Sequence, residues 1–139
     1  MIEEQKFTYL LQDVMKNKFN KGFYQEDLWK YVENKPIKTY NIKDVKHWVY
    51  HPCWSYQIDN IECFYSIYQV FMQKNKFKKE MNHIRKVDTS FPIIIIEDEF
   101  DKYGSILDGN HRFAKLLLSN SKKVKCKFIS KKELEKILK

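Results

Sequence analysis

Apolar residues in the first quarter of the chain recur at helical spacing, at Phe7, Leu10, Leu11, Val14 and Met15. This pattern predicts an amphipathic helix from Phe7 to about Phe19. A second short helix is predicted from Tyr24 to Glu33, with Leu28, Tyr31 and Val32 facing inward. We therefore expect residues 1–34 to form an N-terminal helical extension that packs on the rest of the protein.

The middle of the chain mixes strand, loop and helix signals. PIKTYNI, which begins at Pro36, predicts a first strand, and a helical turn follows in IKDVKHW. The segment VYHPCWSY is interpreted as an aromatic loop. Asp59 or Asn60 then caps a predicted longer helix, because apolar residues from Ile61 to Met72 hold the spacing of one buried face. A further helix is predicted around Phe77, Met81 and Ile84, with a basic outer face formed by Lys78, Lys79, Arg85 and Lys86.

The last third has the clearest strand patterns. Four consecutive isoleucines, Ile93 to Ile96, predict a strand buried on both faces, and the acidic segment EDEFDKYG turns the chain into a strand from Ser105 to Leu107. A helix is predicted from Asn110 to Leu118. Lys123 to Phe128 alternates polar and apolar residues and predicts a half-buried strand, and Ser130 to Glu133 is a capping box before a terminal helix.

These elements predict a mixed α/β (α+β) fold with one compact domain over residues 35–139. A length of 139 residues suits a single hydrophobic core. No apolar run approaches the roughly 20 residues that a membrane helix needs, and MIEEQKF lacks the apolar region of a signal peptide. We therefore expect a cytoplasmic protein with no membrane partner. Cys53, Cys63 and Cys126 are an odd number and are expected to be reduced.

The net charge of +8 is unevenly distributed. Residues 1–70 contain nine Lys/Arg and nine Asp/Glu, whereas residues 71–139 contain seventeen Lys/Arg and nine Asp/Glu. A one-sided basic field favours polyanionic partners such as nucleotides and nucleic acids, although a lysine-rich surface also simply keeps a protein in solution.

The segment SILDGNHRFAKLL contains the strongest candidate chemistry. A strand that ends in Asp108 and Gly109 and turns at once into a helix exposes backbone N–H groups at the positive end of the helix dipole. That arrangement predicts a phosphate site formed by Gly109, Asn110, His111 and Arg112. Gly109 lets the backbone approach a phosphate, His111 can donate a ring N–H, and Arg112 supplies a fixed positive fork.

Asp108, His111 and Arg112 are the candidate catalytic residues, and Asp108 is the candidate Mg²⁺ ligand. Each residue also has a purely structural interpretation. In these alternatives, Asp108 merely caps the helix and Gly109 merely allows a turn. His111 is a hydrogen-bonded core residue, and Arg112 pairs with the acidic loop.

The DGNHR box resembles that of the ParB/sulfiredoxin-like superfamily. ILDGNHRFAKLLLSNSKKVKCKFI is similar to its order of strand, D-G-x-H-R, helix, turn and strand, KPIKTYNIKDV is similar to its opening strand, and VDTSFPIIII is similar to its D-x-S-[YF]-P-I strand entry. HPCW is similar to an aromatic loop of small ParB-like proteins. The resemblance spans roughly residues 35–130.

The resemblance implies a nucleotide whose phosphates bind the DGNHR box, with ATP, ADP or CTP and Mg²⁺ as the expected cofactors. The superfamily includes CTP-hydrolysing DNA-partition proteins, a free-serine kinase, sulfiredoxins and reported nucleases. Asn110 stands where sulfiredoxins have their reactive cysteine, so we do not expect the sulfinic acid reduction that sulfiredoxins catalyse. The kinase implies a further carboxylate near the start of the fold, and Asp44, Asp59 and Asp88 are candidates.

Other residues extend this hypothesis. Trp54, Asp88 and Ser90 are candidate base or substrate contacts. The alternative for Trp54 and the other aromatic residues of VYHPCWSY is that they form a lid over the core. Lys123, Lys125 and Lys127 are nucleic-acid candidates, with the alternative that they protect an edge strand from aggregation. A zinc site formed by His47, His51, Cys53 and Cys63 is a weaker hypothesis, because Pro52 disfavours a helix at His51.

The sequence therefore predicts a nucleotide-binding protein, with phosphotransfer or nucleotide hydrolysis as the expected activity of a kinase or NTPase. The first alternative is a non-enzymatic DNA- or RNA-binding module, or a ParB-like nuclease, that uses the same box and the basic second half. A third interpretation is a partner-binding domain of this fold without chemistry.

Overall fold

The computed structural model describes the backbone of residues 7–9 and the whole of residues 22–139. It confirms a compact α+β domain with a mixed sheet. The strands are β1 (Phe7–Tyr9), β2 (Gly22–Tyr24), β3 (Lys38–Asn41), β4 (Pro52–Ile58), β5 (Ile61–Ser66), β6 (Ile93–Asp98), β7 (Asp101–Asp108) and β8 (Lys123–Ile129). The α-helices are α1 (Gln25–Val32), α2 (Ile42–Val45), α3 (Ile67–Met72), α4 (Lys78–Lys86), α5 (Asn110–Leu118) and α6 (Lys131–Glu135), and a 3-10 helix spans Lys46–Tyr50.

The main sheet has four strands in the order β3, β8, β6, β7. β8 pairs in parallel with β6 and antiparallel with β3, and β7 pairs antiparallel with β6. Side chains of β6 alternate between two buried clusters: Ile93 and Ile95 belong to one, and Ile94 belongs to the other. The prediction of a strand buried on both faces is therefore confirmed.

The larger cluster lies on the face of the sheet that α4 and α5 cover. It contains Trp48, Ile84, Phe113, Val124 and Cys126, all with side chains at most 1% exposed. The smaller cluster packs Leu28 and Val32 of α1 against Ile129 and Leu134. The second predicted helix, from Tyr24 to Glu33, is thereby confirmed as part of the packed structure.

Two helix predictions are wrong, one near the N-terminus and one in the middle of the chain. Phe7–Tyr9 is a strand that pairs with Gly22–Tyr24, so the predicted helix does not begin at Phe7, and the rest of that helix lies outside the described residues. The predicted helix after Asp59 begins as strand β5 and becomes helical only at Ile67. Asp59 and Asn60 have φ values of 51° and 65°, which form the two-residue turn of a hairpin and not a helix cap.

The predicted aromatic loop is also mostly a strand, since β4 begins at Pro52 and pairs with β5. The turn predicted over EDEFDKYG contains only Glu99 and Phe100, because β6 continues to Asp98 and β7 begins at Asp101 and not at Ser105. The other predicted elements are confirmed with small changes in their bounds. The helix α5 begins at Asn110 and ends at Leu118, as predicted. The alternating strand β8 buries Val124 and Cys126 and exposes Lys123 and Lys125.

The capping box before α6 allows a test of stability against pH. Ser130 Oγ accepts the Glu133 N–H, and the Glu133 carboxylate accepts the Ser130 N–H. The hydrogen bond from Lys35, followed by the one from Ser130, lowers the pKa of Glu133 to about 2 from its usual 4.5. Because the folded-state pKa is below that of the unfolded chain, the charge stabilises the fold above about pH 4.5 and loses this effect as the pH falls to about 2.

We expect Glu133→Gln to lower the free energy of unfolding by about 0.5–1 kcal/mol at pH 7, because glutamine keeps the cap but not the pairing with Lys35. The deficit should shrink at pH 3. Urea unfolding at both pH values measures it, with the exposed Glu135→Gln on the same helix as the control. A deficit that is equal at both pH values would contradict the assignment.

Candidate functional site

The DGNHR turn joins β7 to α5 at the carboxyl end of a strand. Gly109 occupies the N-cap position with φ +111° and ψ 22°, and no side chain caps the helix there. The first intrahelical bond runs from the Phe113 N–H to the Gly109 carbonyl oxygen at 2.9 Å. Gly109 takes the N-cap position, so the interpretation of Asp108 as a simple helix cap is wrong.

The Asp108 carboxylate accepts three hydrogen bonds from protein side chains. Gln25 Nε2 donates at 3.2 Å, Trp29 Nε1 at 2.9 Å and Arg112 Nη2 at 3.0 Å. The side chains of Asp108 and Arg112 are only 12% and 13% exposed. This pairing holds the guanidinium of Arg112 against the start of its own helix, and it excludes the alternative in which Arg112 pairs with the acidic loop.

Gly109 and Arg112 pack directly against each other. A Cβ atom at position 109 would lie 2.8 Å from Arg112 Nη2, 3.1 Å from Arg112 Nε and 3.2 Å from Ile93 Cγ1. Only a residue without a side chain therefore allows both the positive φ and the position of the guanidinium. Glycine at this position is required by the conformation of the turn and by the seating of Arg112.

His111 faces α4 and forms a hydrogen-bonded chain with Glu80 and Tyr65. His111 Nε2 lies 2.7 Å from Glu80 Oε2, and Tyr65 Oη donates to Glu80 Oε1 at 2.8 Å. Burial disfavours a charged Glu80, but the hydrogen bonds from His111 and Tyr65 outweigh it, so the pKa of Glu80 is below its usual value. Burial and the bond to Glu80 raise the pKa of Tyr65. The Glu80 carboxylate therefore lies between the Tyr65 phenol and the His111 imidazole and is hydrogen-bonded to both.

Two rings stack on the His111 imidazole. The Trp54 ring centroid lies 4.6 Å away at an interplanar angle of 28°, and the His83 ring centroid lies 3.9 Å away at 25°. Trp54, predicted as a base contact, is thus adjacent to the box. It also contacts Tyr65 at 5.7 Å and packs on the core, as the alternative of a lid predicts.

Asp88 and Ser90 form a local turn before β6. The Ser90 N–H donates to Asp88 Oδ1 at 2.8 Å. The hydrogen bonds from Ser90 lower the pKa of Asp88, and the charges of Lys115 and Arg112 add to this effect. The charge of Arg112 therefore acts on Asp88, which is exposed, as are Asp44 on α2 and Asp59 at the hairpin turn.

The three candidate lysines of β8 do not form one continuous surface. Lys123 and Lys125 are exposed, but Lys127 Nζ donates to the carbonyl oxygens of Val32 at 3.0 Å and Glu33 at 2.8 Å. Lys127 thus binds the C-terminal end of α1, where a cation is favoured. β8 lies between β3 and β6, so the interpretation of its lysines as protection of an edge strand is wrong.

The four residues of the zinc hypothesis do not form a ligand group among the described residues. His47 Nε2 lies 2.5 Å from Asp101 Oδ2, and the His47 and His51 rings contact each other at 6.1 Å. Burial raises the pKa of Cys53, and Cys63 Sγ contacts the Ile61 carbonyl oxygen at 3.8 Å. Burial also raises the pKa of Cys126 to about 12, as expected for a core thiol.

The sequence did not predict four residues that contact the box, which are Gln25, Trp29, Glu80 and His83. It also did not predict Tyr65, which donates a hydrogen bond to Glu80. Glu80 and His83 are three apart on α4, which places both on one helix face. That spacing was the available signal in the sequence.

Comparisons with protein-family models, with curated proteins and with solved structures found no match for this chain. In the part of the chain that the structure describes, the longest apolar helix is too short to cross a membrane.

Proposed function

We propose that the chain binds a nucleotide, with the phosphates at the N-terminus of α5. The observation that supports this proposal is the convergence of an uncapped helix N-terminus with a guanidinium held beside it by Asp108. Each of the two features attracts anions, and the fold places both at the same turn.

The backbone supplies the first part of the phosphate site. The opening N–H groups of an α-helix lack partners within the helix and carry the positive end of its dipole. In α5 these groups belong to Asn110, His111 and Arg112, and the N-cap residue Gly109 has no side chain that could accept their hydrogen bonds. Gly109 presents no Cβ on the approach to them.

Arg112 supplies the second part. A guanidinium has five N–H donors, and the pairing with Asp108 is made through Nη2. The negative charge of Asp108 balances the positive charge of Arg112. Attraction for phosphate therefore depends on the remaining N–H donors of Arg112, on the helix amides and on the basic second half of the chain. Asp108 in this scheme fixes the direction of Arg112, and its role as a Mg²⁺ ligand stays a prediction.

Phosphotransfer or nucleotide hydrolysis is the activity we propose for this site. Arg112 would stabilise charge on the transferred phosphoryl group, and the His111–Glu80 pair offers a group that can accept and return a proton. Trp54 beside His111 is the proposed base contact. ATP, ADP or CTP with Mg²⁺ remain the proposed ligands.

Membership of the ParB/sulfiredoxin-like superfamily also stays a proposal. It is supported by the order of β7, the DGNHR turn, α5 and β8, which agrees with the strand, box, helix and strand of the resemblance.

Thermal unfolding with ATP, ADP, CTP and GTP, each with and without Mg²⁺, tests nucleotide binding. A ligand at about 100 times its Kd adds about 2.7 kcal/mol of stability, which raises Tm by several degrees. We expect one nucleotide to produce this shift in the wild type and not in Arg112→Ala.

Lys125→Ala is the matched control, because it removes one exposed positive charge from β8, which β6 separates from β7 in the sheet. It should keep the shift. Equal shifts in wild type and Arg112→Ala, or none with any nucleotide, would reject the phosphate site at DGNHR.

A second candidate function is nucleic-acid binding. A surface cleft next to α4 is lined by Lys74, Asn75, Lys78, Met81, Asn82 and Arg85. Three cations in one cleft can contact a phosphate backbone, and such binding weakens steeply with salt. A DNA- or RNA-induced shift that disappears between about 50 and 200 mM salt, without a nucleotide shift, would favour this function.

A further inference from the structure

Three metal-ligand side chains converge between α4 and α5. The ligand atoms of Glu80, His83 and His111 all lie within 4.8 Å of one another. The cluster lies outside the set of ligands that the sequence suggested, since those were Asp108 for Mg²⁺ and residues 47–63 for zinc.

The convergence follows from helix geometry and packing. Glu80 and His83 are three residues apart on α4, so their side chains share one face. Met81 and Ile84 of α4 pack in the same buried cluster as Phe113 of α5, which brings His111 against that face. His111 Nε2 is already 2.7 Å from Glu80 Oε2, and its ring stacks on His83.

We propose that Glu80, His83 and His111 bind a divalent transition metal ion of the Zn²⁺ class. Two imidazoles and one carboxylate are a donor set that Zn²⁺ and its neighbours in the first transition row accept, whereas Mg²⁺ and Ca²⁺ prefer oxygen ligands only. With three protein ligands, a tetrahedral ion keeps a fourth position for water or a substrate oxygen.

Binding requires only a local adjustment. Metal–ligand bonds of about 2.0–2.2 Å need ligand atoms roughly 3 Å or more apart, so the ion would replace the proton shared by His111 and Glu80 and widen the pair slightly. In the metal-bound protein this pair would coordinate the ion instead of transferring a proton. His83 is exposed, so an ion can reach the cluster from solvent.

Neighbouring groups support the ligands from outside. Tyr65 Oη donates to the other oxygen of Glu80 at 2.8 Å, and Trp54 stacks on the His111 ring. Hydrogen bonds of this kind orient metal ligands and tune their basicity. Since His111 also lies in the first turn of α5, the metal would border the proposed phosphate site.

Zn²⁺ titration by calorimetry of the full chain, without nucleotide, tests this inference, and Co²⁺ absorption reports on the coordination. We expect one Zn²⁺ per chain and an affinity at least about tenfold weaker in His83→Asn and in Glu80→Gln. His83 is exposed, so His83→Asn should fold normally. His51→Asn removes a histidine outside the cluster and should bind like the wild type.

Absent Zn²⁺ binding in the wild type, or wild-type affinity in both variants, would overturn the inference. An equal loss in His51→Asn would also overturn it, because the ion would then bind elsewhere. Nucleotide-induced stabilisation of His83→Asn is measured in parallel. The metal inference goes beyond the proposed function, and these two readouts can fail independently.

Discussion

Replacing Trp48 by alanine is expected to lower the free energy of unfolding by about 3–5 kcal/mol. Trp48 is 1% exposed in the larger buried cluster, and its ring contacts Phe113 at a centroid distance of 5.3 Å. Its Nε1 donates to the Gly104 carbonyl oxygen at 2.8 Å. Alanine removes both the packing and the donor and leaves a cavity between β7 and α5. Chemical denaturation of the two proteins measures the loss.

Trp48→Phe separates the two contributions. Phenylalanine keeps much of the packing but leaves the buried Gly104 carbonyl without its partner, so we expect a loss of about 1–3 kcal/mol. A loss below about 1 kcal/mol in Trp48→Ala would contradict a central position for Trp48 in the core.

The second large effect is expected for Gly109→Ala, which should abolish nucleotide-induced stabilisation and also weaken the fold. The new Cβ would lie 2.8 Å from Arg112 Nη2, so the guanidinium must shift from its position against Asp108. The φ value of +111° is unfavourable for alanine, which adds strain of about 1–3 kcal/mol. Thermal unfolding with and without nucleotide measures both consequences.

Gly104→Ala is the control for a destabilising glycine substitution that does not involve Arg112. Its Cβ would meet the Ile96 carbonyl oxygen at 2.6 Å with φ +82°, in β7 and away from Arg112. We expect a loss of stability at least as large, because this clash is with a backbone atom, but an intact nucleotide shift. If Gly109→Ala still responds to nucleotide as the wild type does, Arg112 is not part of the phosphate site.

Strong local patterns predicted the central elements of the fold. The four isoleucines of β6 and the alternation in β8 each had a single interpretation, because burial on both faces or on one face is encoded directly in side-chain order. The bounds of α5 could be predicted from the glycine before Asn110 and the apolar periodicity after it.

The hairpin of β4 and β5 was missed because its signals are ambiguous. Asp and Asn cap helices, but they also tolerate the positive φ of a two-residue turn. Apolar residues such as Ile61, Phe64 and Tyr65 fit a helix by spacing and a strand by their branched or aromatic side chains. Pairing with β4, which local spacing does not encode, decides between the two structures.

The candidate site was predicted only as far as it is continuous in sequence. The DGNHR residues lie together, but Glu80 is 31 positions from His111, and Gln25 and Trp29 are 83 and 79 positions from Asp108. These contacts depend on how α1 and α4 pack on the sheet. The spacing of residues along the chain does not encode that packing.

The most direct test of the phosphate site is a nuclear magnetic resonance titration of ¹⁵N-labelled protein with the nucleotide that stabilises it. We expect the largest shifts at the backbone amides of Asn110, His111 and Arg112, together with the Arg112 Nε–H. Shifts confined to the cleft around Lys74, Lys78 and Arg85, or no shifts in α5, would contradict this expectation.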